Sequence, residues 1–260
     1  MAVDHQRVRN AASRSKVPKR IMRDWERYLW LVAFGPVLWL QGRYVRKVTP
    51  KLPEPQGLRE GVTGQGPSLR LLIAGDSAAA GVGAASQDAA LCGQLVQSLS
   101  QQFTVTWQLK AITGLDSPGL ESMLETVTSE PLDVVVLSIG VNDVTSLMSP
   151  QSWVDWQERL AESVISRHSP KLLIHSAVPP MHGFSALPQP LRWFLGRWAQ
   201  EMNSRLDLSV KGETRKFFQW PVHRAVSDGL ATDGFHPGAA GYAAWAQGLS
   251  ELIVGAHLES

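Results

Sequence analysis

The chain contains one cysteine, Cys92, among its 260 residues. A single cysteine excludes an intramolecular disulfide, which is compatible with a reducing compartment. Cys92 lies among Leu91, Leu95 and Val96, a setting typical of a small core residue. The sequence also lacks a His-Glu-x-x-His motif, a Cys-x-x-Cys pair, an EF-hand loop and a Walker lysine. These absences predict a protein without a metal or other cofactor.

The sequence has no apolar run of the roughly 20 residues that a transmembrane helix needs. Its uncharged stretch from Tyr28 to Gly42 is shorter, contains Pro36 and precedes no Ala-x-Ala-like site, so a cleaved secretion signal is not expected. Arg and Lys flank it on both sides, and tryptophans lie near its ends. This pattern favours a segment, over residues 20–47, that lies in an anionic membrane surface. A helix packed on the domain, or a signal or spanning segment, remains an alternative.

Charge is distributed unevenly along the chain. Of the 25 basic and 23 acidic residues, positions 1–51 hold 12 basic and three acidic ones, which leaves 13 basic and 20 acidic residues for the remainder. Residues 1–20 lack apolar periodicity, which predicts disorder, and they lack the interleaved aromatics of a nucleic-acid-binding arm. We therefore expect no nucleic-acid partner and a protein that is cytoplasmic or held at the periphery of a membrane.

Three regions follow from composition. Residues 1–48 form a basic extension with an apolar helix, residues 49–67 are rich in Pro and Gly and read as a linker, and residues 68–260 form the main domain. In the main domain, apolar runs such as 71–74 and 134–139 alternate with segments of helical periodicity. This alternation predicts an α/β domain with a mainly parallel five-stranded sheet and helices on both faces.

Polar residues and glycines follow the first three predicted strands. Asp76 and Ser77 follow the first strand, Gly114 follows the second, and Asn142 and Asp143 follow the third. The carboxyl ends of parallel strands meet at one edge of a sheet, where ligands bind. A serine held there is a candidate nucleophile, and backbone N–H groups or an Asn amide can stabilise developing negative charge. Taken singly, each cluster also fits an ordinary helix cap or turn.

A further polar cluster precedes the last predicted helix. Asp233 lies three residues before His236, so its carboxylate can reach the imidazole and fix its tautomer. Pro237 restrains the backbone of His236. The alternative is an Asp that caps the turn before the helix.

Together these clusters resemble the SGNH (GDSL-type) hydrolases. Four blocks match in order over about residues 69–250: Gly75-Asp76-Ser77, then Gly114, then Gly140-Val141-Asn142-Asp143, and last Asp233-Gly234-Phe235-His236. The Leu of the family's first block is Ala78 here. The resemblance implies a three-layer α/β/α flavodoxin-like fold and hydrolysis of acyl esters through an acyl-enzyme.

The same resemblance implies roles for individual residues. Ser77 would be the nucleophile, His236 the general base and then acid, and Asp233 the group that orients His236. The N–H groups of Ser77 and Gly114 and the side chain of Asn142 would form the oxyanion hole.

The substrate follows less directly. Asp76, Asp143, Phe184 and Phe235 are candidate substrate-binding residues, and the apolar loop 178–198 is placed to wall an acyl pocket or to pack as an ordinary helix. With the apolar, basic N-terminus, this favours a lysophospholipase or carboxylesterase that acts on a lipid or small-molecule ester. A carbohydrate O-acetylesterase, a thioesterase, or a catalytically silent membrane-associated binding protein remains an alternative.

Overall fold

The computed structural model describes residues 24–210, 212, 214–218 and 229–258. Contacts within the chain divide it into two units, Met1–Ala33 and Phe34–Ser260. Of the first unit, the structure describes helical residues from Asp24 onward. Residues 1–20, for which the sequence predicts disorder, lie outside the described residues.

Helices and strands alternate through the second unit. The helices are α1 (Asp24–Val48, which begins in the first unit), α2 (Ser77–Ala80), α3 (Leu91–Leu99), α4 (Ser117–Leu124), α5 (Val141–Thr145), α6 (Pro150–His168), α7 (Leu191–Ser209) and α8 (Ala239–Leu258). The strands are β1 (Glu60–Thr63), β2 (Ser68–Gly75), β3 (Thr104–Ala111), β4 (Val134–Ser138), β5 (Leu172–Ser176) and β6 (Arg215–Phe218). The predicted α/β class is confirmed.

The strands form one sheet in the order β1-β3-β2-β4-β5-β6. Strands β2 to β6 are parallel, and they follow the flavodoxin-like order in which the chain starts in the middle, moves to one side and returns to the other. Strand β1 pairs antiparallel with β3 at the edge. The sheet therefore has one strand more than predicted. Strand β1 lies inside the segment read as a linker, where its Glu-Gly-Val-Thr sequence shows no apolar run.

Two apolar layers enclose the sheet. Alternate residues of a strand point to opposite faces, so Leu71 and Ile73 belong to one layer while Leu72 and Ala74 belong to the other. The first layer is completed by α3 and α8, with Leu95, Trp245 and Leu249 fully buried. The second is completed by α4 and α6. This gives the three-layer α/β/α arrangement that fixes the ends of the parallel strands.

The part of α1 within the second unit, from Phe34, packs on the domain along one side. Leu38 and Val45 are buried, and the side chain of Gln41 donates to the carbonyl of Gln189 (2.7 Å) and accepts from the N–H of Leu191 (3.1 Å). Across the described part of the chain, no helix combines the length and the apolarity that crossing a bilayer demands.

Candidate active site

The first three predicted clusters lie at one edge of the sheet because the strands before them end in register. Gly75 at the end of β2 is paired with Ala111 of β3 on one side and with Ser138 of β4 on the other. The crevice between β2 and β4 is the point where the strand order reverses, and doubly wound sheets bind ligands there. The residues that follow Gly75 and Ser138 therefore flank the expected binding position.

Ser77 begins the short helix α2 directly after β2. The carboxylate of Asp76 caps this helix by accepting from the N–H of Ala78 (3.0 Å), and the N–H of Asp76 donates to the carbonyl of Ser138 (3.1 Å). Ser77 is thus held on a turn anchored at both ends. Its own N–H, in the first helical turn, has no acceptor within the helix.

Ser77 and His236 are 159 positions apart in the chain and adjacent in space. The Nε2 atom of His236 lies 2.9 Å from the Oγ atom of Ser77. The Nδ1 atom of His236 lies 2.6 Å from the Oδ2 atom of Asp233. With the Nδ1 proton donated to the carboxylate, the imidazole presents an unprotonated Nε2 to the hydroxyl. The structure brings the three predicted catalytic residues together in one line of hydrogen bonds.

The carboxylate of Asp233 is held by its own turn. Its Oδ1 atom accepts from the backbone N–H groups of Phe235 (2.9 Å) and His236 (3.0 Å). Burial opposes ionisation, but the hydrogen bonds from the ring and backbone outweigh it, so the pKa of Asp233 lies below its usual value. Asp233 is therefore an anion at neutral pH and can stabilise an imidazolium.

The turn that carries His236 packs closely on the loop after α2. Gly83 has φ of +98°, and a Cβ atom there would lie 2.4 Å from the carbonyl oxygen of Pro237, so only glycine fits. Nearby, the hydroxyl of Tyr242 on α8 donates to the carbonyl of Val82 (2.7 Å). These contacts fix the distance between Ser77 and His236.

Asp76 and Asp143, predicted as substrate-binding residues, do not reach the surface. Asp76 is 2% exposed and Asp143 is fully buried. Burial, with a smaller contribution from the charge of Asp143, raises the pKa of Asp76 to about 7. Both carboxylates accept hydrogen bonds from backbone N–H groups, those of Ala78 and Ser117 respectively. The turns that carry Asp76 and Asp143 point these side chains into the domain. There their hydrogen bonds stabilise the turns of the site.

A buried polar chain that the sequence analysis did not identify continues from Asp143. Its carboxylate accepts from the hydroxyl of Ser117 (2.9 Å), which in turn accepts from the amide of Gln157 (3.3 Å). The Gln157 carbonyl oxygen lies 3.4 Å from Nδ1 of His175. Burial and the nearby charge of Arg215 lower the pKa of His175 to about 3, so its ring is neutral. These residues lie on four elements, α4, α5, α6 and β5, and only the fold reveals that they meet.

The three predicted oxyanion donors occupy different strand-end turns. The Asn142 amide donates one N–H to the carbonyl of Leu115 (2.8 Å), which orients the side chain and leaves its second N–H available. Gly114 is exposed with φ of +88°, and a Cβ atom there would meet no atom within 4 Å. The turn of Gly114 is thus open to a ligand.

Glu54 and Arg59, which both precede β1, hold the turn next to Gly114. The Glu54 carboxylate accepts from the N–H (2.8 Å) and hydroxyl (2.6 Å) of Thr113. Arg59 pairs with Glu54 and donates to the carbonyl of Ala111 (2.8 Å) at the end of β3. Both residues lie in the segment 49–67, whose composition predicts a linker, and no local pattern indicates this role.

A cleft opens over Ser77 and His236. Its other lining residues are apolar: Ala78, Val141, Pro179, Pro180, Phe184, Leu230, Phe235 and Pro237. The rings of Phe184 and Phe235 lie 4.8 Å apart and form one wall. The free volume inside is about 20 Å³, space for one or two water molecules. Phe184 and Phe235, predicted to contact substrate, thus line the cleft. Within the described ranges, no three His, Cys, Asp or Glu side chains converge as metal ligands would.

Comparison with known proteins places this arrangement in a family. The GDSL-like lipase/acylhydrolase family model matches residues 73–244, more than half of the chain. The GDSL-like esterase Rv1075c of Mycobacterium tuberculosis is 28% identical over 228 residues, which cover 78% of this chain and 71% of that protein.

Solved structures show the same fold at low identity. The carbohydrate acetylesterase Est24 of Sinorhizobium meliloti has a TM-score of 0.55 and 16% identity, covering 72% of this chain and 99% of that one. The aryl esterase of M. smegmatis has a TM-score of 0.52 and 21% identity, covering 72% and 99%. The chain belongs to the GDSL-like lipase/acylhydrolase family and is an ester-hydrolysing enzyme.

Proposed function

We propose that this protein is a serine esterase that hydrolyses carboxylic esters with short acyl groups through an acyl-enzyme. The observation that carries the proposal is the hydrogen-bonded line from Ser77 through His236 to Asp233 at the floor of an apolar cleft. A hydroxyl, an imidazole and an ionised carboxylate in this order are the elements of nucleophilic acyl transfer.

Acylation begins at the Ser77 hydroxyl. Its oxygen forms a bond to the ester carbonyl carbon as the Nε2 atom of His236 takes the proton. The carboxylate of Asp233 stabilises the resulting imidazolium through the Nδ1–H bond. The tetrahedral intermediate then breaks the bond to the alcohol oxygen, and His236 returns the proton to that oxygen. The alcohol leaves and the acyl group remains on Ser77.

Deacylation repeats these steps with water. A water oxygen bonds to the acyl carbon while His236 accepts its proton. The bond to the Ser77 oxygen then breaks, the proton returns to that oxygen, and the carboxylic acid departs. In both halves the intermediate carries a negative oxygen, for which the N–H groups of Ser77 and Gly114 and the free N–H of Asn142 are the proposed donors.

The size and lining of the cleft support a short acyl group. The free volume of about 20 Å³ is small, which favours a short acyl group over a long one as long as the walls do not move. Pro179 and Pro180 restrict the backbone of one wall, and Phe184 is buried, so the wall is stiff. Apart from Ser77 and His236, the described lining residues are apolar and offer no group to bind a polar acyl substituent.

The test is turnover of a p-nitrophenyl ester series from acetate to palmitate. We expect the highest kcat/KM for acetate to butyrate, and a steep fall for longer chains. Ser77→Ala should lower kcat by more than roughly 10³-fold and abolish labelling by a fluorophosphonate. Ser122→Ala, on the exposed side of α4, is the matched control and should retain both. Activity in Ser77→Ala equal to that of the unaltered protein would refute the proposal.

A lysophospholipid is the second candidate substrate. The apolar lining suits a long acyl chain if the Phe184 and Phe235 rings separate. In that case the chain-length series would peak at long esters, and release of fatty acid from lysophosphatidylcholine would exceed acetate turnover. The Phe184→Ala variant distinguishes the short-chain esterase from the lysophospholipase. Removing the ring enlarges the cleft, and this should improve the turnover of long-chain esters only if the closed wall limits that turnover in the unaltered protein.

A further inference from the structure

The outward face of α1 presents aromatic and cationic side chains together. We define this face by its exposed residues within the second unit: Val37, Trp39, Leu40, Arg43, Tyr44, Arg46, Lys47 and Val48. Trp39, Leu40 and Tyr44 are 58%, 60% and 62% exposed. Large apolar side chains grouped in this way on a surface mark an interaction site, whereas single ones are ordinary.

The opposite side of the same helix is already used. Leu38 and Val45 are buried against the domain, and Gln41 makes two hydrogen bonds to the segment before α7. The helix is therefore fixed in rotation about its axis. Because Leu38 and Val45 face the domain, the outward face is held away from it in a defined orientation.

The charge of this face has one sign. No acidic residue occurs between Glu26 and Glu54, so α1 offers no anion of its own near Arg43, Arg46 and Lys47. The Arg43 guanidinium lies 4.9 Å from the centre of the Trp39 ring. Such a pair places a cation beside an aromatic ring that tolerates both apolar and polar surroundings. The remainder of the chain is net acidic, so the basic character is local.

We infer that the outward face of α1 binds the surface of an anionic lipid bilayer, with Trp39, Leu40 and Tyr44 in the interfacial region and the three cations at lipid phosphates. An interface between headgroups and acyl chains receives apolar and aromatic side chains and attracts cations at once. A second copy of the chain fits less well, because a symmetric contact through this face would set the same cations against one another.

The first experiment uses the full chain and vesicles of two compositions. In co-sedimentation at low ionic strength, we expect binding to phosphatidylcholine vesicles that contain phosphatidylglycerol and at least tenfold weaker binding to phosphatidylcholine alone. Added salt should weaken the binding, since screening acts on exposed charges. Equal binding to both compositions, or no binding to either at low salt, would overturn the inference.

The second experiment assigns the binding to this face. Lys47→Glu should weaken binding to the anionic vesicles roughly 10- to 30-fold, because each cation near such a surface contributes about a factor of five and reversal counts twice. Lys216→Glu makes the same change at an exposed lysine of β6 and should leave binding within twofold. Equal losses in both variants would show attraction by overall charge and sink the inference.

The apolar part is tested in the same way. Leu40→Ser should weaken binding roughly tenfold. Leu208→Ser, at a leucine of α7 that is 68% exposed, should not. Circular dichroism and urea unfolding of each variant verify that the fold is intact. If Leu40→Ser instead abolishes self-association and vesicles have no effect, the face joins two copies and the inference is wrong.

Discussion

Asp233 illustrates how a single side chain sets the chemistry of its neighbour. Its two oxygens accept from the ring of His236 and from two backbone N–H groups, so neither the carboxylate nor the imidazole can rotate independently. Replacing the carboxylate by an amide would favour the tautomer of His236 that carries its proton on Nε2, facing Ser77.

We therefore expect Asp233→Asn to lower kcat on p-nitrophenyl acetate by roughly 10³- to 10⁴-fold at pH 7. KM should change little, because Asp233 is buried and does not line the cleft. Asp155→Asn, an exposed carboxylate on α6, serves as the control and should retain full activity. A loss in Asp233→Asn of less than tenfold would contradict the role assigned to the carboxylate.

Asp76 gives a prediction about stability and pH. Burial raises the pKa of Asp76 to about 7, above the value near 4 in an unfolded chain. The folded state thus binds this proton more tightly than the unfolded state does. The stability that results is fully present below pH 4 and is lost as the pH rises through 7.

Asp76→Asn removes this titration, because the amide oxygen can still accept from Ala78 without ionising. Relative to the unaltered protein, we expect the free energy of unfolding of Asp76→Asn to increase from pH 5 to pH 8 by about 2 to 3 kcal/mol. Urea unfolding at both pH values measures this. The control Asp88→Asn, at an exposed residue, should show no such trend, and a difference for Asp76→Asn that does not depend on pH would contradict the argument.

For individual residues, the sequence predicted correctly which ones lie close together in the fold. It did not predict the direction in which some of their side chains point. Short motifs, each contained in a single turn of the fold, carry Ser77, Asn142, Asp233 and His236. Asp76 lies beside Ser77 in the same motif, yet the turn directs its side chain into the core. The direction of a side chain depends on backbone angles and on packing, and the neighbouring residues in the sequence do not specify either.

Among the elements, β1 and the segment before it help to position the turn of Thr113 and Gly114, and their composition does not predict this. Prolines and glycines there predict a linker, because they disfavour regular structure. The strand forms nevertheless, since the edge of β3 offers unpaired backbone groups and β1 supplies the partners. The register then sets Glu54 and Arg59 beside the turn of Thr113 and Gly114. A pairing with β3 across more than forty positions is invisible to local pattern.

From this arrangement we expect Glu54→Ala to lower kcat about tenfold with little change in KM. The turn would loosen, and the N–H of Gly114, a proposed oxyanion donor, would be less well placed for the transition state. The cost should be below the roughly 10²-fold of losing a donor outright. Glu54→Gln keeps an acceptor for Thr113 and should restore most of the rate. Glu121→Ala, which breaks an exposed ion pair with Arg159, is the control. An equal fall in both glutamate-to-alanine variants would point to general destabilisation.

At the scale of the whole molecule, the two apolar layers leave the single thiol inaccessible. Cys92 is 1% exposed, and burial raises the pKa of its thiol to about 12. The thiolate, which is the reactive form, is therefore scarce in the folded protein at neutral pH. We expect Ellman's reagent to leave the native protein unmodified and to modify one thiol per chain in denaturant.

The extent of this reaction across a urea series should follow the loss of circular dichroism, because Cys92 reaches solvent only when α3 leaves the sheet. Rapid modification in buffer alone would show that this layer opens locally.

The alternation of strands and helices was enough to predict both layers, since the apolar side of each element must be buried against one face of the sheet or the other.

The separation of Ser77 from His236 has a consequence during translation. The ribosome adds about 5–20 residues per second, so the 159 positions between them take roughly 8 to 30 s to synthesise. Throughout that interval the nascent polypeptide carries Ser77 without His236. Under the proposed mechanism, hydrolysis can begin only after this interval, once the turn that bears His236 has been made and lies beside Ser77.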